Sequence, residues 1–288
     1  MIYVYSVAYY CTDYILKCIH SLRNDTKEKF NLTVCENQSP NSHIIKQLLK
    51  KEVDNHNIDT YIKFNENLLS SSLKYAYKLN PPKTDSEDFI VFTDLDLKIP
   101  NGVDWIQELR KRFAYPEVGL VAFDLDPINY ETSARAHFSR LLRKLTTLLP
   151  KQLSILLKIL INTRPLRGRN WGQLFAEESS LDSKYQIYKG LFSGMWLCGV
   201  RKNIVDKFVD SYDTFLDRHL NYFAKSSGFI IGRIPIKLYH YGWDAWKDYP
   251  EYYRYKLSIF DEFRNKPRKL CSYEIIRKGE RIEKEVTK

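Results

Sequence analysis

The chain lacks the sequence patterns that mark several large classes of protein. Its five cysteines show no CxxC spacing and are odd in number, so we expect reduced, buried thiols rather than a zinc site or a disulfide framework. No zinc-finger or RNP-like motif is present, and we expect no nucleic-acid partner. The apolar residues 139–169 are interrupted by Pro150, Lys151 and Lys158, well short of the ~20 apolar residues that a membrane span needs.

Residues 139–169 also contain no acidic side chain, in a chain whose net charge is +10. A basic balance favours nucleic acid, anionic membranes or phosphorylated small molecules as partners. Two short amphipathic helices joined at Pro150 would place Leu and Ile on one face, with Lys and Arg at its edges. Such helices lie in a membrane interface, or they pack on their own sheet or on a second subunit. The sequence leaves these alternatives open, and with them the oligomeric state.

No signal peptide precedes the first predicted strand, which begins at Met1, so we expect a cytoplasmic location. If residues 139–169 bind a membrane, the protein would associate with its inner face. No internal repeat or Gly/Ser linker divides the chain. We therefore predict one catalytic domain at 1–246 with an insertion at 128–170. A C-terminal extension follows at 247–288, helical from Tyr249 to Phe263 and without a packing pattern after Ile276.

The N-terminal half alternates apolar strand patterns with helical spacing. Strands separated by single helices predict βαβ units, and hence an α/β fold with a mainly parallel central sheet and flanking helices. The predicted strands are 1–8, 31–35, 59–64, 88–93 and 118–123, and the predicted helices are 13–22, 42–51, 68–79 and 103–113.

Asp94 and Asp96 stand directly after the apolar strand that ends at Thr93. Residues two apart in an extended chain point to the same side, so both carboxylates would project from the carboxyl end of this strand. Open α/β sheets bind their ligands at that end. Two converging carboxylates suit a hard divalent cation that is shared with a substrate phosphate. Because Asp is also a common turn and N-cap residue, the triplet alone does not decide.

Several segments occur in an order that resembles a known family. The order is similar to that of the GT-A glycosyltransferases, most nearly the inverting glycosyltransferase family 2, from Met1 to Gly242. The segments are Ser6-Val-Ala-Tyr-Tyr10, Val34-Cys-Glu-Asn-Gln-Ser39, Phe64-Asn-Glu-Asn67, Thr93-Asp-Leu-Asp-Leu97, Gly194-Met-Trp-Leu-Cys-Gly-Val-Arg-Lys202 and Tyr239-His-Tyr-Gly242.

The resemblance implies a GT-A fold and hexosyl transfer from a nucleotide-diphosphate sugar to an acceptor hydroxyl. The expected acceptor is a glycan or a lipid-linked sugar, in cell-surface polysaccharide or glycolipid synthesis.

The resemblance places Mn²⁺ or Mg²⁺ at Asp94, Asp96 and His240, although a lone His at a strand end is often structural. It places the donor at Ala8, Tyr9, Glu36, Asn67, Asp94, Trp196 and Arg169. Arg167, Arg201 and Lys202 are phosphate-binding candidates or surface charges, and Trp196 also fits a core position.

The catalytic base has a weaker signal than the metal motif. The family carries a Glu-Asp pair before a helix that ends in Gly, and counting back from Gly228 places Asp217 there, with Leu216 replacing the first acid. Asp213 lies one helical turn earlier, so it remains the second candidate. The resemblance implies that the base takes the proton of the acceptor hydroxyl in one displacement, which inverts the anomeric configuration.

Two other functions fit parts of the sequence. A sugar-nucleotide pyrophosphorylase would share the fold and the metal, but it needs a Gly-rich, basic phosphate loop after strand one. Residues 6–13 contain no Gly, Arg or Lys, which disfavours that function. The incomplete base motif is compatible with a catalytically inactive GT-A-like module that binds a membrane surface.

Overall fold

A computed structural model describes residues 1–85, 88–125, 150, 153, 180–241, 248–252 and 266–286. The chain divides into two compact units, one of residues 1–124 with 180–288 and one of residues 125–179. The predictions for the insertion 128–170 lie outside the described residues except at Pro150 and Leu153. Helices long and apolar enough to cross a bilayer do not occur in the described ranges.

The first unit contains the predicted alternation of strands and helices. α1 illustrates the cause, since its buried residues Tyr14, Ile15, Cys18, Ile19 and Leu22 recur at helical spacing along one face. The helices are α1 Thr12–Asn24, α2 Ser42–Asp54, α3 Ser72–Leu79 after a 3₁₀ turn at Leu69–Ser71, α4 Trp105–Phe113, α5 Lys202–Ser211 and α6 Asp217–Ser226. The strands are β1 Ile2–Ala8, β2 Phe30–Glu36, β3 Thr60–Phe64, β4 Phe89–Asp94, β5 Leu97–Lys98, β6 Val118–Leu125, β7 Leu181–Asp182, β8 Ile187–Lys189, β9 Cys198–Arg201, β10 Ile230–His240, β11 Tyr273–Arg277 and β12 Glu280–Lys284.

Within the described residues the strands form one twelve-stranded sheet. Its order is β12-β11-β3-β2-β1-β4-β9-β6-β10-β8-β7, and β5 pairs with β10 off this path. Parallel pairing joins β3, β2, β1 and β4, as predicted for the N-terminal half. β9 lies between β4 and β6 and runs antiparallel to both. The sheet is therefore mixed, because strands after residue 180 join it in the opposite direction or as hairpins.

The C-terminal end of the chain differs from the prediction. Residues after Ile276 do not form an unpacked tail, since β11 and β12 make a hairpin and β11 pairs antiparallel with β3. Tyr273 and Ile275 are buried in the main core, and Glu274 forms an ion pair with Lys46 of α2 at 2.5 Å. The charges of β12 lie on an edge strand, where charged side chains are common, and this disguised the strand pattern. The hairpin also belongs to the first compact unit, so the predicted boundary at residue 247 does not separate it.

Replacement of Ile275 tests whether the hairpin is part of the core. Ile275 is 6% exposed, whereas Ile44 on α2 is 46% exposed. We expect Ile275→Ala to lower the free energy of unfolding by about 2–5 kcal/mol, because the lost methyl groups leave a cavity. Urea unfolding followed by circular dichroism measures the change, with Ile44→Ala as the matched control. Equal losses in the two variants would show that the hairpin does not pack on the sheet.

Candidate functional site

The site is built around the carboxyl end of the central strand β4. Asp94, its last residue, pairs in register with Val7 of β1. The Asp94 amide donates to the carbonyl of Met195 at 3.0 Å, and the Ser6 hydroxyl donates to the carbonyl of Thr93 at 2.5 Å. Backbone contacts on both sides thus fix the position at which the two aspartates leave the sheet.

The short strand β5 brings His240 to the same place. β5 pairs antiparallel with the end of β10, so that His240 lies opposite Leu97, and the Tyr241 amide donates to the Asp96 carbonyl at 2.6 Å. His240 Nε2 lies 3.5 Å from Asp96 Oδ1, with the side chains 14% and 28% exposed. One ligand atom each from Asp94, Asp96 and His240 lies within 4.8 Å of the others. The three residues that the sequence predicted as metal ligands are therefore neighbours.

This cluster fits a divalent cation. Its two carboxylates and one imidazole are ligands that Mn²⁺ accepts, and Mg²⁺ prefers the oxygens. Asp96 Oδ1 is buried and receives no hydrogen bond from the described residues, as expected for an atom that serves as a ligand. The Cys18 thiol donates to the Asp94 carbonyl at 3.6 Å. Burial raises the pKa of Cys18, and the nearby Asp96 and Asp94 add to this.

Tyrosines hold the first loop against the strand that carries His240. Ala8 is fully buried at the end of β1, while Tyr9, the next residue, is half-buried. Tyr10 stacks on Tyr252 with ring centroids 5.2 Å apart, and Tyr14 stacks on Tyr241 at 5.0 Å. Residues 248–252 are thereby fixed beside the loop after β1, next to the metal cluster.

Glu36 does not present its carboxylate to a ligand. The side chain is fully buried, Tyr61 donates to Oε2 at 3.0 Å, and the Ser39 amide donates to Oε1 at 3.4 Å. Burial raises the pKa of this carboxyl, while hydrogen bonds from Ser42, Tyr61 and Ser39 oppose the rise. Glu36 therefore has a structural role in the loop after β2, and its contact with the nucleotide base stays a prediction.

Asn67 and the basic candidates also have local partners. Asn67 Oδ1 accepts from the amide of Leu69 at 2.9 Å, which stabilises the turn before the 3₁₀ segment. The buried guanidinium of Arg201 donates to the carbonyls of Val118, Phe113 and Tyr115, so it is not a phosphate ligand. Lys202 is paired with Asp206 at 2.7 Å. Arg167 and Arg169 lie outside the described residues.

The two candidate bases occupy different environments. Asp213 is 83% exposed and contacts Lys74 at 3.3 Å. Asp217 is half-buried at the first position of α6, and its charge adds to the raised pKa of the buried Cys198 thiol, whose main cause is burial. Cys198 pairs with Phe92 of β4, two residues before Asp94. Trp196 is half-buried nearby, and its indole donates to the Phe123 carbonyl at 2.7 Å.

Comparison with known families places this geometry in context. Residues 3–172, more than half of the chain, match the family described as Glycosyl transferase family 2. The chain belongs to glycosyl transferase family 2. No curated protein sequence matches it.

Solved structures of other proteins are similar to this family 2 chain. The mannosyltransferase PcManGT from Pyrobaculum calidifontis, in complex with GDP-Man and Mn²⁺, matches with a TM-score of 0.50 and 14% identity, over 85% of this chain and 59% of that one. TarS 1-349 from S. aureus matches with a TM-score of 0.48 and 13% identity, over 83% of this chain and 60% of that one. The likeness to PcManGT confirms the predicted GT-A fold. This chain spans less than two thirds of the length of either protein.

Three polar residues of this family 2 chain were missed by the sequence reasoning. Asn37 joins the loop after β2 to the 3₁₀ turn, accepting from the Leu68 amide at 2.9 Å and donating to the Leu69 carbonyl at 3.1 Å. Arg233 and Asn221 are buried beside the loop that carries Trp196. For Arg233 and Asn221, the only indication in the sequence is a polar residue at a position of β10 or α6 where the apolar pattern predicts a core residue.

Replacement of Glu36 tests its structural role. The folded-state pKa of Glu36 lies above that of the unfolded chain, about 4.3, so wild-type stability falls as the pH rises through the folded-state value. Glu36→Gln does not ionise, and we expect its free energy of unfolding to rise relative to wild type between pH 4 and pH 8. Urea unfolding at both pH values measures this, with the exposed Glu285→Gln as control. A relative loss of stability at pH 8 would mean that the folded protein favours the ionised carboxylate.

Proposed function

We propose that this protein is a metal-dependent glycosyltransferase that moves a sugar from a nucleotide-diphosphate sugar to an acceptor hydroxyl. The observation that carries the proposal is the cluster of Asp94, Asp96 and His240 at the carboxyl end of β4, in a chain of glycosyl transferase family 2. The presence of GDP-Man and Mn²⁺ together in PcManGT, which has the same fold, supports a nucleotide sugar and a divalent metal as partners.

Asp94, Asp96 and His240 would hold Mn²⁺ or Mg²⁺ at the rim of the sheet. When bound, such an ion acts as a Lewis acid that neutralises charge on a diphosphate leaving group. The chain fixes the position of the two carboxylates. The Asp94 amide donates to the Met195 carbonyl, and the Tyr241 amide donates to the Asp96 carbonyl. We propose that the donor nucleotide approaches the carboxylates past the half-buried Tyr9, which follows the buried Ala8 at the end of the neighbouring β1.

Asp217 is the base in this proposal. A negative charge is favoured at the N-terminal end of a helix, and the Arg218 amide donates to Asp217 Oδ1 at 2.7 Å, so the carboxylate is held ready to accept a proton. It would take the proton of the acceptor hydroxyl as that oxygen attacks the anomeric carbon. A single displacement of this kind inverts the anomeric configuration and forms no sugar–enzyme bond. Asp213 is the second candidate for this role, since it is exposed and its carboxylate is paired with Lys74.

We propose that the acceptor binds beside the loop at residues 192–196. Trp196 offers an indole plane beside the site, and such planes stack on the apolar face of sugars. We propose a glycan or a lipid-linked sugar as acceptor, in polysaccharide or glycolipid synthesis. A membrane contact through residues 139–169 would suit a lipid-linked acceptor.

Loss of a metal ligand should abolish donor binding without unfolding the protein. We expect Asp96→Asn to remove the Mn²⁺-dependent rise in melting temperature that a nucleotide sugar produces, since a ligand stabilises only the form that binds it. Differential scanning fluorimetry with a panel of nucleotide sugars measures the shift, and Asp54→Asn, an exposed change at the end of α2, is the control. If Asp96→Asn shows the same rise in melting temperature as wild type, the metal cluster does not bind the donor.

A kinetic test distinguishes the two candidate bases. We expect Asp217→Asn to lower kcat for transfer by about 10²–10⁴-fold, because the amide cannot accept the acceptor's proton. Asp213→Asn, a change of the same chemistry four residues away, should leave kcat within about twofold. Initial rates are measured at saturating donor and Mn²⁺. A large loss in Asp213→Asn with normal activity in Asp217→Asn would exchange the two roles.

A further inference from the structure

The side chain of Asn221 joins the base helix to the loop at residues 192–196. Asn221 is buried on α6, one turn after Asp217. Its Nδ2 donates to the carbonyls of Ser193 at 2.6 Å and Asp217 at 2.8 Å, and its Oδ1 accepts from the Ser193 amide at 2.9 Å. Both backbone groups of Ser193 are therefore bound by one amide, as in a pair of neighbouring strands.

The same loop is anchored on its other side by β10. Arg233 Nε donates to the Phe192 carbonyl at 2.7 Å, and its guanidinium forms a buried ion pair with Asp124 of β6 at 3.2 Å. The Ser193 hydroxyl donates to the carbonyl of Gly232 at 2.6 Å. The loop is thus held to the strand side by Arg233 and by Ser193 itself, and the Asn221 side chain hydrogen-bonds it to α6.

The loop reaches the metal motif two residues later. The Met195 carbonyl accepts from the Asp94 amide, and the Trp196 ring covers Gly194, where an added Cβ would lie 2.0 Å from a ring carbon. A shift of Ser193 would therefore move Met195 and Trp196 relative to Asp217. The hydrogen bonds of Asn221 therefore connect the loop that binds Asp94 with the helix that begins at Asp217.

We infer that Asn221 is a positioning residue for sugar transfer, which holds the predicted base Asp217 in register with the loop that carries Trp196 and supports Asp94. The inference rests on the proposed function, since it assigns Asn221 its role through Asp217. Asn221 does not touch the reacting atoms. It would affect the rate by aligning the acceptor hydroxyl with the base. A misplacement of reacting groups by the order of 1 Å lowers the rate about 10²-fold.

Asn221→Asp tests this role with an isosteric change. The carboxylate keeps an acceptor for the Ser193 amide but faces the carbonyls of Ser193 and Asp217 without a proton to donate. We expect kcat to fall by about 10²-fold while the dissociation constant of the donor with Mn²⁺ stays within twofold. Asn221→Ser, whose hydroxyl can still bond the Asp217 carbonyl within the helix, removes only the link to the loop and should lower kcat in the same direction.

The matched control is Asn80→Asp. Asn80 also donates its amide to a neighbouring segment, at 2.8 Å from Thr33 Oγ1, and accepts from Arg277, but it lies at the end of α3 outside the candidate site. We expect this variant to keep wild-type kcat, measured at a temperature where every variant is folded, since Arg277 and the Thr33 hydroxyl can both donate to the new carboxylate. A normal kcat here and a lower kcat in Asn221→Asp would show that the effect depends on the position and not on the exchange of Asn for Asp as such.

The outcomes distinguish the inference from the proposed function. If wild type transfers sugar, Asp217→Asn does not, and both Asn221 variants keep wild-type kcat, the positioning role is wrong while the proposed function stands. Equal losses of kcat in Asn80→Asp and Asn221→Asp at matched stability also overturn it. Absence of Mn²⁺-dependent nucleotide-sugar binding and of transfer in the wild type overturns the proposed function, and the inference with it.

Discussion

The pairing of β5 with the end of β10 is the interaction on which the candidate site depends. It places an imidazole against a carboxylate, because His240 lies opposite Leu97 and the Tyr241 amide binds the Asp96 carbonyl. Asp94 and Asp96 already bring two negative charges to one rim of the sheet, and like charges at close range destabilise one another. A divalent cation would relieve that repulsion. The backbone therefore creates a cluster of negative charge where binding of a metal ion would be favoured.

The rest of the site follows from this rim. The loop before β9 binds Asp94 through Met195 and binds α6 through Asn221, so the carboxylate rim and the N-terminus of α6 are joined by one short stretch of chain. On the other side, Tyr10 of the loop after β1 stacks on Tyr252, and Tyr14 of α1 stacks on Tyr241. One side of the rim is therefore held by hydrogen bonds and the other by stacked rings.

The features predicted best from the sequence are those that local periodicity encodes. The buried run before Asp94 and its spacing of two to Asp96 predicted a strand and the direction of both carboxylates, and α1 to α4 follow from their apolar spacing. The resemblance in motif order also predicted His240 as a metal ligand, although it is far from the aspartates in the chain. Its place beside them depends on the two residues of β5, which no periodicity reveals.

The features predicted poorly depend on which segments meet in three dimensions. The charged pattern of β12 is that of a solvent-exposed tail unless β11 is known to pair with β3. Glu36 has the residue type of a ligand contact, but its place beneath Tyr61 decides that it is buried. Asn221 was not predicted at all, because its importance comes from a loop twenty-eight residues earlier in the chain.

Anomalous diffraction from crystals grown with Mn²⁺ and a nucleotide diphosphate tests the central claim most directly. The account predicts one strong manganese peak bounded by Asp94, Asp96 and His240, at metal–ligand distances of about 2 Å, with diphosphate oxygens completing the coordination. A map with no peak at this rim, or with the diphosphate bound elsewhere on the sheet, would contradict it.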